Sequence, residues 1–103
     1  MPSKRKPLPS FAYHWAPVAC RESIARTGLI VSPGGITASR PTVCMSPSPI
    51  DAWTLSGDLR DKGSYDLWQV KVPEGAFWRA DGFPEIRSFV DIPPADLIWV
   101  ASR

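Results

Sequence analysis

Proline is the residue type that most restricts how this 103-residue chain can fold. The chain contains twelve prolines and seven glycines, and both residue types interrupt helices and strands. The composition therefore predicts short elements joined by many turns, within one domain that has a single modest core. We place that domain at residues 11–103, after a basic, proline-rich leader at residues 1–10. We expect the leader to be a flexible tail, and a basic arm that touches phosphate is the alternative.

Composition and charge exclude several classes of protein. The apolar fraction of 44% is ordinary for a globular protein, and a net charge of +2 does not by itself indicate a nucleic-acid partner. No segment has the apolar length of a membrane span or a signal peptide, so we expect a soluble, cytoplasmic protein without a membrane partner. Cys20 and Cys44 form one disulfide or none, and buried free thiols are the simpler expectation. With a single histidine they do not complete a zinc site, so we expect no metal.

The order of the predicted elements indicates an α+β fold with a small β-sheet and two short helices, rather than a repeating βαβ fold. The strands follow from the alternation of apolar and polar residues, and the helices from their capping residues. Gly28 is well placed to end the first helix, and Ser46 or Ser48 to begin the second. The predicted strands are residues 11–15, 42–46, 65–73, 85–92 and 98–102, and the predicted helices begin near Pro17 and Pro49.

Common catalytic signatures are absent from the sequence. It has no glycine-rich phosphate loop and no GxSxG motif, and spacing alone nominates no pair of carboxylates. Three segments remain that carry polar side chains at the end or start of a predicted strand. They are Tyr13-His14 in the first strand, "CMSPSP" at residues 44–49, and "DGFPEIRS" at residues 81–88, where Glu85 opens a strand.

The order of these three segments resembles the ADP-ribosyltransferase superfamily, most of all its compact RNA 2′-phosphotransferase and DarT-like branches. The likeness runs from about Phe11 to Val100 and includes three further features. The first helix ends in an "I…GL" phrase, a strand reads "DLWQVKV", and an ending reads "VDIPPADLI". Phe83, two residues before Glu85, stands where the arginine-modifying branch has Glu or Gln, which argues against that branch.

The resemblance implies a split, two-part β-sheet with a cleft that holds NAD as a substrate. His14 would bond the ribose, Ser46 would shape the nicotinamide side, and Glu85 would stabilise the sugar cation as nicotinamide leaves. These residue types suit that chemistry, because a carboxylate stabilises an oxocarbenium-like centre and an imidazole positions hydroxyls. Aromatic side chains stack on flat rings, and the candidates here are Tyr13, Trp15 and Trp53.

Two functions follow as expectations. The first is an NAD-dependent transferase of glycosyl groups, which cleaves the bond to nicotinamide and passes ADP-ribose, or a related group, to a nucleic-acid base, an RNA 2′-phosphate or a protein. The second is a non-catalytic module that keeps the fold and binds a nucleotide or another protein. A domain of this size suits a phage or mobile-element gene. Candidates for pyrophosphate contacts are Arg21, Arg26 and Arg40.

Each proposed site residue also has a purely structural interpretation. His14 fits a packed position in an aromatic strand, since a lone histidine is commonly a satisfied core residue. Ser46 fits a helix N-cap. Glu85 fits a solvated charge at a sheet edge, where it would discourage pairing with another sheet.

Overall fold

A computed structural model describes residues 7–31, 42–55, 63–79 and 84–103 of the chain. These residues form a small α+β domain with two three-stranded sheets and few helices, which confirms the expected fold class. Residues 1–6 of the predicted leader lie outside the described residues. The strands are β1 (Phe11–Pro17), β2 (Val43–Met45), β3 (Tyr65–Lys71), β4 (Phe77–Trp78), β5 (Ile86–Ser88) and β6 (Leu97–Ser102). The α-helices are α1 (Arg21–Thr27) and α2 (Pro49–Leu55), and single 3₁₀ turns span Val18–Cys20 and Pro94–Asp96.

Among the described residues, the pair Tyr13 and Ser46 links the backbones of the two sheets, and we call this pair the seam. The first sheet has the strand order β1-β3-β6 and the second has the order β2-β5-β4, with antiparallel pairing throughout. At the seam the N–H of Tyr13 donates to the carbonyl of Ser46 at 2.7 Å, and the N–H of Ser46 donates to the carbonyl of Tyr13 at 2.9 Å. This exchange joins β1 to the residue after β2, so an isolated bridge links the two sheets.

Strand β3 runs through the middle of the first sheet and is buried on both faces. Its alternating sequence predicts one buried face, yet all four residues from Tyr65 to Trp68 are buried. Helix α2 packs on one face through a contact between Trp53 and Tyr65, whose ring centres are 5.8 Å apart. Trp68 and Val70 point into the main core on the other face. Because α2 covers one face and the main core covers the other, β3 is enclosed on both sides.

The main core lies between the first sheet, α1 and the second sheet. Its tightest positions are small or branched residues, since Ala12, Val70, Ile86 and Ile92 are fully buried. The remaining members of the cluster are Ala16, Ile24, Leu29, Val43, Met45, Trp68 and Ala76.

A buried ion pair fixes the start of α1 against the first sheet. Asp66 is fully buried, and the guanidinium of Arg21 donates to both of its carboxylate oxygens at 2.8 Å. Ser102 adds a third hydrogen bond at 2.7 Å from its hydroxyl. The hydrogen bonds from Arg21 hold the pKa of Asp66 below its usual range. Because both oxygens are satisfied, the buried charge is compensated and links α1, β3 and β6.

The structure corrects one local prediction, decides between two N-cap candidates and adds a short strand. Cys20 is exposed rather than buried, because the chain turns in a 3₁₀ turn before α1 begins at Arg21; both cysteines are free thiols. Ser48, not Ser46, caps α2, since its hydroxyl accepts the N–H of Asp51 at 3.1 Å. Strand β4 has only two residues and was not expected from the sequence.

No helix within the described ranges is long and apolar enough to cross a membrane.

Gly28 ends α1 in a backbone conformation that a side chain does not tolerate. Its φ is 81°, and its N–H donates to the carbonyl of Ile24 at 2.8 Å. A Cβ at this position would overlap the carbonyl oxygen of Ile92. That carbonyl accepts the N–H of Leu29, and the N–H of Ile92 donates back to Leu29. The close approach of the two chain segments therefore requires glycine.

We predict that Gly28→Ala destabilises the protein far more than Gly75→Ala does. Gly75 also has a positive φ of 88°, but a Cβ there meets nothing within 4 Å. The control variant should lose about 1 kcal/mol of unfolding free energy, from backbone strain alone. Gly28→Ala adds a steric overlap and should lose about 3 kcal/mol. Urea unfolding of the two variants checks this, and equal losses would contradict it.

Candidate functional site

The imidazole of His14 is half-buried and bound to the neighbouring sheet. Its Nδ1 lies 2.9 Å from the carbonyl oxygen of Cys44 in β2. Because a carbonyl only accepts hydrogen bonds, Nδ1 carries the proton and Nε2 is left as an acceptor in the neutral ring. Burial lowers the pKa of His14, and the hydrogen bond to Cys44 opposes this only in part. The ring is therefore neutral at pH 7 and offers an acceptor nitrogen.

Ser46 is held at the seam by its backbone, and its side chain is buried without a partner. The residue is fully buried, and its hydroxyl oxygen makes no hydrogen bond within the described part of the chain. Buried hydroxyls in proteins nearly always have a partner. The N-cap interpretation does not account for this hydroxyl, since Ser48 performs that role.

The carboxylate of Glu85 is buried directly before β5 and is not a solvated edge charge. The residue is 3% exposed. Its Oε1 accepts hydrogen bonds from Nη1 of Arg79 at 3.4 Å and from Nε of Arg87 at 3.1 Å. The next residue, Ile86, pairs with Met45 in β2. Continuation of this antiparallel register places Glu85 beside Ser46.

Cys44 lies between the imidazole and the carboxylate. Its carbonyl binds His14, and its backbone pairs with Arg87 in β5. Burial raises the pKa of the Cys44 thiol, and the negative charge of Glu85 raises it further. His14 and Glu85 therefore flank β2 on either side, at backbone positions about 10 Å apart, or two strand spacings. The thiol stays protonated near pH 7 and is not an activated nucleophile.

The structure does not bring the aromatic candidate Trp53 into this group. Trp53 packs edge-on against Trp15, with ring centres 4.9 Å apart, and the guanidinium of Arg103 lies 4.2 Å above its ring. Trp15 follows His14 in β1, so the two side chains point to opposite faces of the sheet. Trp53 and Trp15 thus join α2 to the first sheet. Tyr13 contacts Ser46 through the backbone hydrogen bonds of the seam.

The arginines near the site differ from those expected. Arg21 is bound to Asp66, Arg26 is exposed in the last turn of α1, and Arg40 lies outside the described residues. The arginines that lie beside Glu85 are instead Arg79 and Arg87, which form ion pairs with it. The alternation along β5 puts Glu85 and Arg87 on one face and could have revealed this pair. Arg79 joins them only through the register of the two-residue strand β4.

Comparison with known proteins adds no assignment. The sequence matches no protein-family model, and it matches no curated protein. No group of three metal-ligating side chains occurs among the residues described here. The case for a function therefore depends on the residues around the seam.

We predict that His14 titrates below 6.5, the ordinary value for histidine, in the folded protein. Burial favours the neutral ring, so the folded state binds the proton less tightly than the unfolded chain does. Stability should therefore fall as the pH drops through 6.5 toward the lower folded pKa. Because the chain has one histidine, an NMR titration of the imidazole signals reports this residue alone. The same titration in denaturant is the control, and a folded midpoint at or above the unfolded one would contradict the prediction.

Proposed function

We propose that this protein is an NAD-dependent ADP-ribosyltransferase whose site lies at the seam. The observation that carries the proposal is that the seam places His14, Ser46 and Glu85 on neighbouring strands, in β1, directly after β2 and directly before β5. Their sequence order resembles that of the transferase superfamily, and the two-part sheet agrees with the architecture that the resemblance implies.

The reaction begins with heterolytic cleavage of the bond between the ribose anomeric carbon and the nicotinamide nitrogen. The bonding electron pair leaves with nicotinamide, which becomes neutral, and positive charge develops on the sugar. The carboxylate of Glu85 is the group that stabilises this charge. An acceptor oxygen or nitrogen then bonds to the anomeric carbon and loses its proton.

The other two residues bind and orient NAD. Nε2 of neutral His14 accepts a hydrogen bond from a ribose hydroxyl, while Nδ1 remains on the carbonyl of Cys44. Ser46 shapes the nicotinamide side of the site through its backbone at the seam, while its hydroxyl is fully buried and lacks a partner among the described residues. The lowered pKa of His14 suits this role, because a protonated ring has no acceptor nitrogen.

The second candidate is a non-catalytic module that keeps the fold and binds a nucleotide or a protein. The ion pairs of Glu85 favour it, because two arginines already engage the carboxylate and its side chain is 4% exposed. In this function Glu85 holds β4 to β5, and a nucleotide would bind without being cleaved.

We predict that wild-type protein releases nicotinamide from NAD and that Glu85→Gln reduces the rate by about 100-fold. The amide keeps the shape of the side chain but not the charge that stabilises the sugar cation. Glu74→Gln, at an exposed glutamate in the turn before β4, is the matched control and should retain the wild-type rate. Chromatography of released nicotinamide gives the rates, and a thermal-shift titration with NAD gives binding.

The outcomes separate the two candidates. NAD binding without nicotinamide release by the wild type supports the binding module and rejects the transferase. Neither binding nor release rejects NAD as a ligand. Equal rates for Glu85→Gln and Glu74→Gln, with both variants folded by circular dichroism, would remove Glu85 from the reaction.

A further inference from the structure

Strand β6 is the outer strand of the first sheet, and its free edge lacks the features that protect such edges. In the strand order β1-β3-β6, no described strand pairs with the outer side of β6. Its sequence, LIWVAS, contains neither a charged residue nor a proline, and these are the residues that commonly prevent free edges from pairing. Strand β4, at the outer edge of the other sheet, is instead protected by its length of two residues. The edge of β6 is therefore open to a further strand.

The surface around this edge is apolar. Ile98, Trp99 and Val100 are 56%, 47% and 44% exposed. Beside Trp99, helix α1 and the sheet form a groove whose walls include Ala19 and Ala25. Three consecutive large apolar residues in an exposed edge strand favour burial against another strand.

The backbone groups at both ends of β6 point away from β3. Tyr65 and Arg103 exchange two N–H···O bonds, of 2.9 Å and 2.7 Å. In an antiparallel pair such bonded positions alternate with positions whose groups point outward, so the N–H and carbonyl of Ser102 face the free edge. Leu97 lies opposite Val70, at an odd number of residues from Tyr65 along β3. The backbone groups of Leu97 therefore face the free edge as well.

A bulge in β6 determines which residues share a face. Consecutive residues of β3 pair with Ala101 and with Trp99, so Val100 is an extra residue in β6. The bulge shifts the alternation by one, and Trp99 and Ser102 lie on the same face although they are three residues apart. Leu97 lies on that face too, two residues before Trp99. Leu97 and Ser102 therefore meet the requirement for opposite residues of an antiparallel pair, which project from one face.

We propose that β6 pairs with β6 of a second copy of this chain in an antiparallel, twofold-symmetric dimer. Leu97 of each copy lies opposite Ser102 of the other, and their outward backbone groups form the hydrogen bonds. The twofold axis passes beside Trp99 and Val100, so the two bulges meet there and the first sheets of both copies join. The dimer does not depend on NAD, because β6 and the seam lie on opposite sides of β3.

Opposite charges at the two ends of β6 favour a second copy as the occupant of this edge. Asp96 directly precedes the strand and Arg103 directly follows it. In the proposed register, Asp96 of each copy lies opposite Arg103 of the other, so the dimer contains two such pairs. Within one copy the two residues are separated by the length of β6, roughly 20 Å, and do not reach each other. The guanidinium of Arg103 lies 4.2 Å above the ring of Trp53, where its N–H donors can still bind a carboxylate.

Sedimentation equilibrium of the 103-residue chain tests the dimer. Wild-type protein should dimerise reversibly, with a dissociation constant on the order of 10 µM, as suits a small interface. Val100→Lys places two positive charges beside the axis and should weaken dimerisation by about 100-fold. Ile50→Lys, at an isoleucine that is 78% exposed on α2, is the matched control and should dimerise like the wild type. Circular dichroism checks that both variants are folded.

A charge exchange tests the register. Asp96→Arg and Arg103→Asp each place like charges opposite each other at two positions, and each should weaken dimerisation by about tenfold. The double variant restores both pairs with the charges exchanged, so it should recover most of the wild-type affinity. A role of either residue within its own copy would instead give additive losses, because the two are too far apart to interact there.

Each contrary result overturns a defined part of the proposal. Wild-type protein that remains monomeric at about 50 times the expected dissociation constant would reject a second copy as the occupant. Equal weakening by Val100→Lys and Ile50→Lys would place the interface away from β6. Additive losses in the double variant would reject the register. Assemblies that keep growing with concentration would reject the closed, twofold dimer.

Discussion

The two hydrogen bonds between Tyr13 and Ser46 are the interaction on which the rest of the structure depends. A three-stranded sheet needs a packed apolar face to be stable, and the strands of both sheets here have seven residues or fewer. The seam joins the halves through backbone groups, which do not depend on side-chain identity. It also brings β1 beside β2, so that His14 lies next to the strand that separates it from Glu85. The two residues belong to different sheets, which the seam links.

Two buried carboxylates are compensated in different ways, and the difference bears on function. Asp66 has both oxygens occupied, by the guanidinium of Arg21 and by the hydroxyl of Ser102. That arrangement is closed and holds α1 in place. Glu85 instead receives two guanidinium groups on a single oxygen, from side chains about as exposed as that of Arg21. In the proposed function Glu85, and not Asp66, is the carboxylate that stabilises the sugar cation.

Much of the fold follows from local patterns, while the site depends on long-range pairing. The alternation in β1 and the glycine at residue 28 predict the first strand and the end of α1 correctly, because both are local effects. Burial of Glu85 was not predictable, since it depends on Arg79 and on the register of a two-residue strand. The position of Trp53 was equally open, because composition does not reveal which face of β1 an aromatic side chain contacts. Whether His14 and Glu85 act on NAD stays a prediction.

The central claim is that NAD binds at the seam, beside His14. The most direct test is a titration of the folded protein with NAD at pH 7, followed through the NMR signals of the single imidazole. We predict a saturable shift of these signals, because the ribose hydroxyl bonds Nε2 while Nδ1 stays on the carbonyl of Cys44. Imidazole signals that remain unchanged at saturating NAD would contradict the account.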